Sequence, residues 1–282
     1  MVNVMLRDRT GERWSIVTQS QPETGLQPDR PNAARMFDYY LGGKDNFAAD
    51  RAAAEMVLQV APWMPEAARQ GRELISRTVR HLVEEKGIRQ ILDLGSGLPT
   101  QDNVHEIAHR IDPDVRVVYV DNDPVVCTHG RALLADSKTV SVVQADLTDP
   151  QQVLGHPAIG DAIDVGSPVA VLMMFVLHLV PDEQDPQRIV ATYRDALAPG
   201  SYLALSHAGT DVHPDLMARI SAIYARANSP FVPRSHADIS RFFGDFVLEP
   251  PGLVNMWPHT EPPATADPQV ARTGYSGVAR KP

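Results

Sequence analysis

Apolar positions along the chain follow two different periods. Between Pro31 and Lys86 the spacing is helical: Met36, Phe37, Tyr40 and Leu41 share a face that Gly42-Gly43 ends. Met56, Val57 and Val60 predict a second short helix before Pro62, and Ile75, Val79, Leu82 and Val83 align on a third over Glu66 to Glu85. After Gly87 short, nearly continuous apolar runs appear at Gln90 to Leu94, Arg116 to Val120, Val140 to Gln144, Val169 to Phe175 and Tyr202 to Ser206. Helical segments fall between them, near Asn103 to Arg110 and Pro186 to Ala198. Apolar strands alternating with helices predict a parallel sheet covered on both faces.

The end of the chain adds a helix carrying Leu216, Ile220 and Ile223, then a proline-rich break at Ser229 to Arg234. Ser235 with Asp238 resembles a capping box for a short helix that buries Ile239, Phe242 and Phe243 and stops at Gly244. Phe246 to Leu248 and Gly274 to Ala279 are expected to close the sheet, with Glu261 to Pro268 as a loop. The expected fold is therefore α/β: a Rossmann-like, doubly wound, mostly parallel seven-stranded sheet with an N-terminal helical cap. Residues 1–29 lack a sustained period and are expected to be an extension, flexible or laid over the surface. Residues 30–86 form the cap and 87–282 the sheet domain.

Charge and cysteine usage narrow the partners. Lys plus Arg number 26 against 35 acids, a net charge of −9, which disfavours phosphate backbones, so no nucleic-acid partner is expected. Cys127 is the only cysteine, so an intramolecular disulfide and a multi-cysteine zinc site are excluded and a reducing cytoplasm fits. The longest apolar run, Val169 to Leu177, falls well short of the roughly 20 residues of a membrane helix, and the N-terminus lacks the apolar segment of a signal peptide. A cytoplasmic protein with no membrane association is expected.

The chemistry lies at strand ends, where open parallel sheets bind ligands. Asp93 lies just inside the end of the first strand and is followed by Gly95-Ser96-Gly97, two glycines suited to close backbone approach. The third glycine of a dinucleotide loop is replaced by Thr100. The second strand ends YVDNDP, putting Asp121 where an acid accepts ribose hydroxyls, with Asn122 beside it as a further cofactor-binding candidate. The third ends QADLTDP, putting Asp146 where a carboxylate could take an adenine amine, with Leu147 beside it as a further candidate. Each acid alone is equally a helix cap or turn former. Their order on successive strands points to one nucleoside-type cofactor.

This constellation resembles the class I S-adenosylmethionine-dependent methyltransferases, with DLGSG similar to their first motif, VDNDP to their ribose-binding acid and ADLTD to their adenine segment. FVLHLVPD and YRDALAPGSYLALSH resemble their fourth and fifth strands, although Pro199-Gly200-Ser201 replaces the usual Pro-Gly-Gly. RPNAARMFDYYLGGKDNFAADR and SGLPTQDNVHEIA are similar to a bacterial S-adenosyl methyltransferase family of unassigned substrate. The resemblance implies S-adenosyl-L-methionine as cofactor, held by Asp93, Gly95, Ser96, Gly97, Asp121 and Asn122 with Asp146 and Leu147. A methionine tail in place of a pyrophosphate accounts for Thr100.

The polar segment after the first helix is expected to fold over the cofactor as a lid, with Tyr40, Lys44 or Asn46 near its carboxylate or methyl end. Lys44 or Arg35 could pair with that carboxylate. The alternative is a plain helix stop, with Gly43 left-handed and Tyr40 in the core. His207 and His178, just past the fifth and fourth strands, are the candidate catalytic bases. The fourth strand lacks an Asn-Pro-Pro-aromatic or Asp-Pro-Pro-aromatic ending, so a small molecule attacked through oxygen or nitrogen is the expected acceptor. His105-Glu106-Ile107-Ala108-His109 spells a zinc motif but has no third ligand at the required spacing, and no metal is expected. The rival readings are a sensor that binds the cofactor without turnover and an NAD-dependent oxidoreductase.

Overall fold

A computed structural model describes residues 2–7, 14–19, 27–99, 102–134, 137–211, 213–227, 229–255 and 273–282. Within the expected N-terminal extension, β1 (Val2–Arg7) and β2 (Trp14–Gln19) pair antiparallel, with Val2 opposite Gln19 and Arg7 opposite Trp14, as a sheet of their own. Their sequences, VNVMLR and WSIVTQ, interrupt apolar with polar residues and lack the nearly continuous apolar run that marks the strands of the main sheet, so the sequence reading contained no strand there. The expected loop at Glu261 to Pro268 lies outside the described residues.

Three helices follow: α1 (Ala33–Tyr40), α2 (Ala48–Leu58) and α3 (Met64–Arg80), the last extended by a π-helical turn at His81–Glu85. Asn32 opens α1 by accepting from the amides of Ala34 (2.8 Å) and Arg35 (3.3 Å). The left-handed residue that stops it is Gly42, φ +77°, rather than Gly43. Gly43 is constrained differently: a β-carbon there would collide with the Asp38 carboxylate.

The main sheet is built from β3 (Gln90–Leu94), β4 (Arg116–Asp121), β5 (Val140–Gln144), β6 (Ala170–Met174), β7 (Tyr202–Ala208), β8 (Val247–Leu248), β9 (Val254–Asn255) and β10 (Gly274–Arg280). Its order is β5-β4-β3-β6-β7-β10-β8, with β9 also paired to β10, making eight strands rather than the seven expected. Strands β3 to β7 are mutually parallel, and β10 runs antiparallel against β7, β8 and β9. The chain moves outward through β3, β4 and β5 and then returns to β6, so the order reverses between β3 and β6.

Helices α4 (Val104–His109), α5 (Pro124–Leu133), α6 (Pro150–Leu154), α7 (Pro157–Ala162), α8 (Pro186–Ala196), α9 (Pro214–Arg226) and α10 (His236–Arg241) complete the described fold. The sequence reading did not specify α5, α6 and α7. Two of them are too short to show a period, yet each begins with a proline preceded by a residue whose side chain caps the helix: Asp123, Asp149 and His156. Ser235 caps α10 as expected, accepting from the Asp238 amide at 3.1 Å.

Alternation along the strands divides the core. Leu92, Leu94, Val118 and Val120 pack with Tyr193 and Phe242 on one face, while Ile91, Val117 and Leu172 pack with Val79, Leu82 and Ile107 on the other. A third cluster joins Met36, Tyr40, Ala54 and Val57 to Met217 and Ile220, so α1 and α2 pack on α9 from much later in the chain. Among the described residues no helix is long and apolar enough to cross a membrane.

Candidate functional site

Beyond the carboxyl ends of β3, β4, β5 and β6 the chain encloses a cavity of about 540 Å³. Its floor starts with the glycine turn. The amides of Gly95 and Ser96 donate to the Val120 carbonyl at 2.8 and 3.2 Å, anchoring the turn to the neighbouring strand. Gly95 (φ +73°) and Gly97 (φ +68°) are both left-handed. A β-carbon at Gly95 would collide with Val176, so that glycine serves the fold as well as the site. At Gly97 the nearest obstacle is Ala34, 3.8 Å away, which leaves the room that backbone approach to a ligand needs.

Asp121 is wired to this turn. Its Oδ2 accepts the Gly97 amide and its Oδ1 the Asp123 amide, each at 2.9 Å. Burial pushes its carboxyl up to about 6, and the backbone donors oppose the rise. On the next strand Asp146 is oriented by Thr148, whose amide (2.9 Å) and hydroxyl (2.8 Å) both donate to Oδ1. Among the described residues no donor reaches Asp146 Oδ2. Leu147 lies beside it, its carbonyl held by the Tyr193 hydroxyl at 3.0 Å.

Nine of the expected site residues line this one cavity: Gly95, Ser96, Gly97, Asp121, Asn122 and Asp146, then Leu147, Tyr40 and His178. Asp93, Lys44, Asn46 and His207 do not. Asp93 is buried in the strand, where burial pushes its carboxyl up to about 7 against the opposing pull of Arg72. Lys44 is exposed and away from the lining. Asn46 is buried and braces the segment, donating to Asp38 (2.8 Å) and the Gly43 carbonyl (3.0 Å) while accepting from Arg51 (3.0 Å).

His207, expected as a catalytic base, is fully buried in β7 with both ring nitrogens engaged. Its Nδ1 faces the Ala208 carbonyl at 2.8 Å and must donate, so Nε2 is the lone pair that accepts from Arg234 at 3.0 Å. Burial lowers its pKa to about 4. Arg35 is likewise committed: it bridges Asp50 (2.9 Å) and Asp123 (2.6 Å) and donates to the Arg30 carbonyl (2.6 Å), so it is not placed to receive a ligand carboxylate.

His178 does face the cavity, from a short turn at Leu177–Leu179. Burial, reinforced by His207 and Arg234, holds it well below the ordinary histidine pKa, so the ring is neutral. Its Nδ1 is buried with no hydrogen-bond partner among the described residues. Tyr40 presents a buried hydroxyl, set against that of Tyr224, and burial raises its pKa far above the ordinary phenol value.

Sequence reasoning missed several lining residues: Phe37, Arg72, Phe175, Tyr224 and Phe231. Phe175 was expected only as the last residue of an apolar strand. It sits at the end of β6 with φ +58°, a conformation that an aromatic residue rarely adopts, and its ring lies 6.1 Å from Phe37. Gly71 on α3 admits that ring, since a β-carbon there would approach Phe175 to 2.9 Å. The H-E-x-x-H residues have other partners: Glu106 accepts from the Asn103 amide, His105 meets the Tyr119 hydroxyl and His109 donates to the Val115 carbonyl.

The arrangement fits an adenosine-type cofactor: an open glycine turn, a buried acid beside it, and a second acid with a free oxygen next to an apolar shelf. Comparison with known proteins agrees. The S-adenosyl methyltransferase family matches residues 19–282. A crystal structure of a DUF574 family protein from Streptomyces avermitilis is 39% identical, covers 90% of this chain and 99% of its own, and superposes with a TM-score of 0.85. A candidate methyltransferase from Thermobifida fusca is 41% identical over 93% of this chain and 99% of its own, with a TM-score of 0.84. Among curated proteins none matches the chain. With the family covering nearly the whole chain and its cofactor suited to the cavity, this protein belongs to the S-adenosyl methyltransferase family and is an S-adenosylmethionine-dependent methyltransferase.

Proposed function

We propose that the protein transfers a methyl group to the oxygen or nitrogen of a small molecule, and that His178 receives the acceptor's proton. The observation that supports this reading is that one cavity is lined by both the glycine turn with its acids and a neutral imidazole. Asp121 would accept the ribose hydroxyls, Asp146 Oδ2 the adenine amine, and Leu147 would carry the ring. When bound, the cofactor supplies a sulfonium methyl as the electrophile. The rest falls to the chain: Phe37, Phe175 and Tyr224 exclude water around the reacting atoms, and His178 orients the acceptor hydroxyl or amine. A pKa this far below neutrality makes His178 a weak base, so its larger contribution is orientation.

Residues 30–86 act in this reading as a cap, with α1 over the cofactor. Tyr40 is its contribution to the cavity, and Asn46 acts one step removed, through Asp38. A cytoplasmic setting suits the single thiol, which burial pushes up to about 11 and so keeps protonated. Calorimetry tests the cofactor assignment: S-adenosylhomocysteine should bind and NAD should not, and the reverse result ends the reading. Incubation with methyl-labelled cofactor and a metabolite extract then tests transfer.

A further inference from the structure

A second, smaller chamber of about 100 Å³ adjoins the first. The two share Phe37, Met64, Phe175, His178, Tyr224 and Phe231, so these side chains form a neck between a polar chamber and an apolar one. Beyond the neck the walls are Val57, Trp63, Ala67, Met217 and Ile220, from α2, α3 and α9 and the turn before α3. We propose that this chamber is the acceptor subsite, and that the acceptor is an uncharged molecule with one aromatic ring in the chamber and a hydroxyl directed to His178. The proposal rests on the methyl-transfer reading above.

Four observations support it. No Asp, Glu, Lys or Arg lines the second chamber among the described residues, so an ionised acceptor would be buried there without a counter-charge. The neck is aromatic on several sides: Tyr224 and Phe231 lie 4.9 Å apart, His178 and Phe231 5.1 Å, Phe37 and Phe175 6.1 Å. Rings so arranged offer faces and edges to a further ring. At about 100 Å³ the chamber is smaller than the apolar cavity of about 150 Å³ that takes up benzene, so one ring is the most it admits, seated partly in the neck. Finally, His178 lines both chambers, which puts an imidazole at their junction, the one place where it can meet an acceptor hydroxyl.

The position also suits the reaction. Phe175 and His178 both belong to the segment leaving β6, next to the point where the strand order reverses. The left-handed backbone at Phe175 holds its ring at the neck instead of in the sheet core. In the transfer, a lone pair of the acceptor oxygen forms the bond to the methyl carbon and the pair of the broken sulfur–methyl bond stays on sulfur. The hydroxyl proton passes to His178 and from there to water.

The test uses the full chain and three probes of one shape: 4-methylphenol, toluene and 4-methylbenzoate, titrated by ligand-observed NMR with and without S-adenosylhomocysteine. We expect 4-methylphenol to bind at least tenfold more tightly than either of the others. Ala67→Phe, which fills the chamber from a partly exposed position on α3, should weaken 4-methylphenol at least tenfold and leave S-adenosylhomocysteine within twofold of wild type. Ile220→Trp fills it from the α9 wall and serves if the first variant does not fold. Absence of 4-methylphenol binding, equal or tighter binding of 4-methylbenzoate, equal binding of toluene, or indifference to the filling variants overturns the proposal. If S-adenosylhomocysteine fails to bind wild type, the methyl-transfer reading falls, and the phenol series still judges the chamber.

Discussion

Asp121 holds the glycine turn through Gly97 and starts α5 through Asp123, so it sets the shape of the site before any ligand arrives. Replacing it with Ala should weaken S-adenosylhomocysteine by about 1–3 kcal/mol, the range for a lost hydrogen bond to a charged group, as read by calorimetry. Its pKa near 6 adds a pH signature. Accepting two ribose hydroxyls requires the ionised carboxylate, which predominates above that value, so affinity should fall by about tenfold per unit below pH 6. Asp121→Asn should remove that dependence. Lys44, exposed and off the cavity, should tolerate Ala with no change in affinity. Gly95 and Gly97 should differ in degree: both alanines strain a left-handed backbone, but Gly95→Ala also meets Val176 and should lower the melting temperature further than Gly97→Ala.

At the scale of elements, two arginines secure the site. Arg35 on α1 joins Asp50 of α2 to Asp123 at the start of α5, all three buried, so it attaches the cap helices to the segment carrying Asp121. Arg35→Ala leaves two buried carboxylates uncompensated and should cost about 3–5 kcal/mol in chemical denaturation. Arg35→Lys should restore little, because a point charge cannot span two carboxylates as a planar fork does. Arg234 secures the opposite wall, donating to the Leu177 (2.9 Å) and Val180 (2.8 Å) carbonyls, to Asp182 (2.6 Å) and to His207. His207 is thus a structural acceptor with a folded pKa near 4 and an unfolded value near 6.5. The unfolded chain gains its proton first as pH falls, so the stability that this neutral ring contributes is complete above pH 6.5 and lost between there and pH 4. Between pH 7 and 5 this contribution should fall by about 1–2 kcal/mol, and His207→Gln, which keeps an acceptor for Arg234, should reduce the pH dependence of melts by that amount and leave the part due to buried His178.

For the whole molecule, the return of the chain from β5 to β6 opens the crevice, and α1, α9 and the segment after α9 roof it. A ligand bound only by the folded state should raise stability by about 2.7 kcal/mol at a hundredfold excess over its Kd. S-adenosylhomocysteine should therefore raise the melting temperature where NAD does not.

Much of this was legible in the chain alone. The ends of β3 and β5 coincide with the expected ones, and Asp121 and Asp146 were found at strand ends, because apolar runs, glycine turns and acids at strand ends are local signals. Asp93 and His207 do not line the cavity, for one shared reason. Both lie inside a strand, where alternation turns a side chain toward one face of the sheet; His207 packs on Phe242, 5.8 Å away, instead of facing the crevice at the strand's tip. The lining from Tyr224, Phe231 and Phe37 left no local sign, since those residues are neighbours only after α9 packs on α1 and α2. The sequence by itself thus determined the alternation of strands and helices, the family and the nucleoside-binding edge, which depend on residues close together along the chain. Tertiary structure alone decided which side chains enter the cavity, where charges are neutralised and what faces the acceptor. Those outcomes depend on burial and pairing between segments far apart along the chain, such as Arg35 with Asp123 and Tyr40 with Tyr224, which no local pattern specifies.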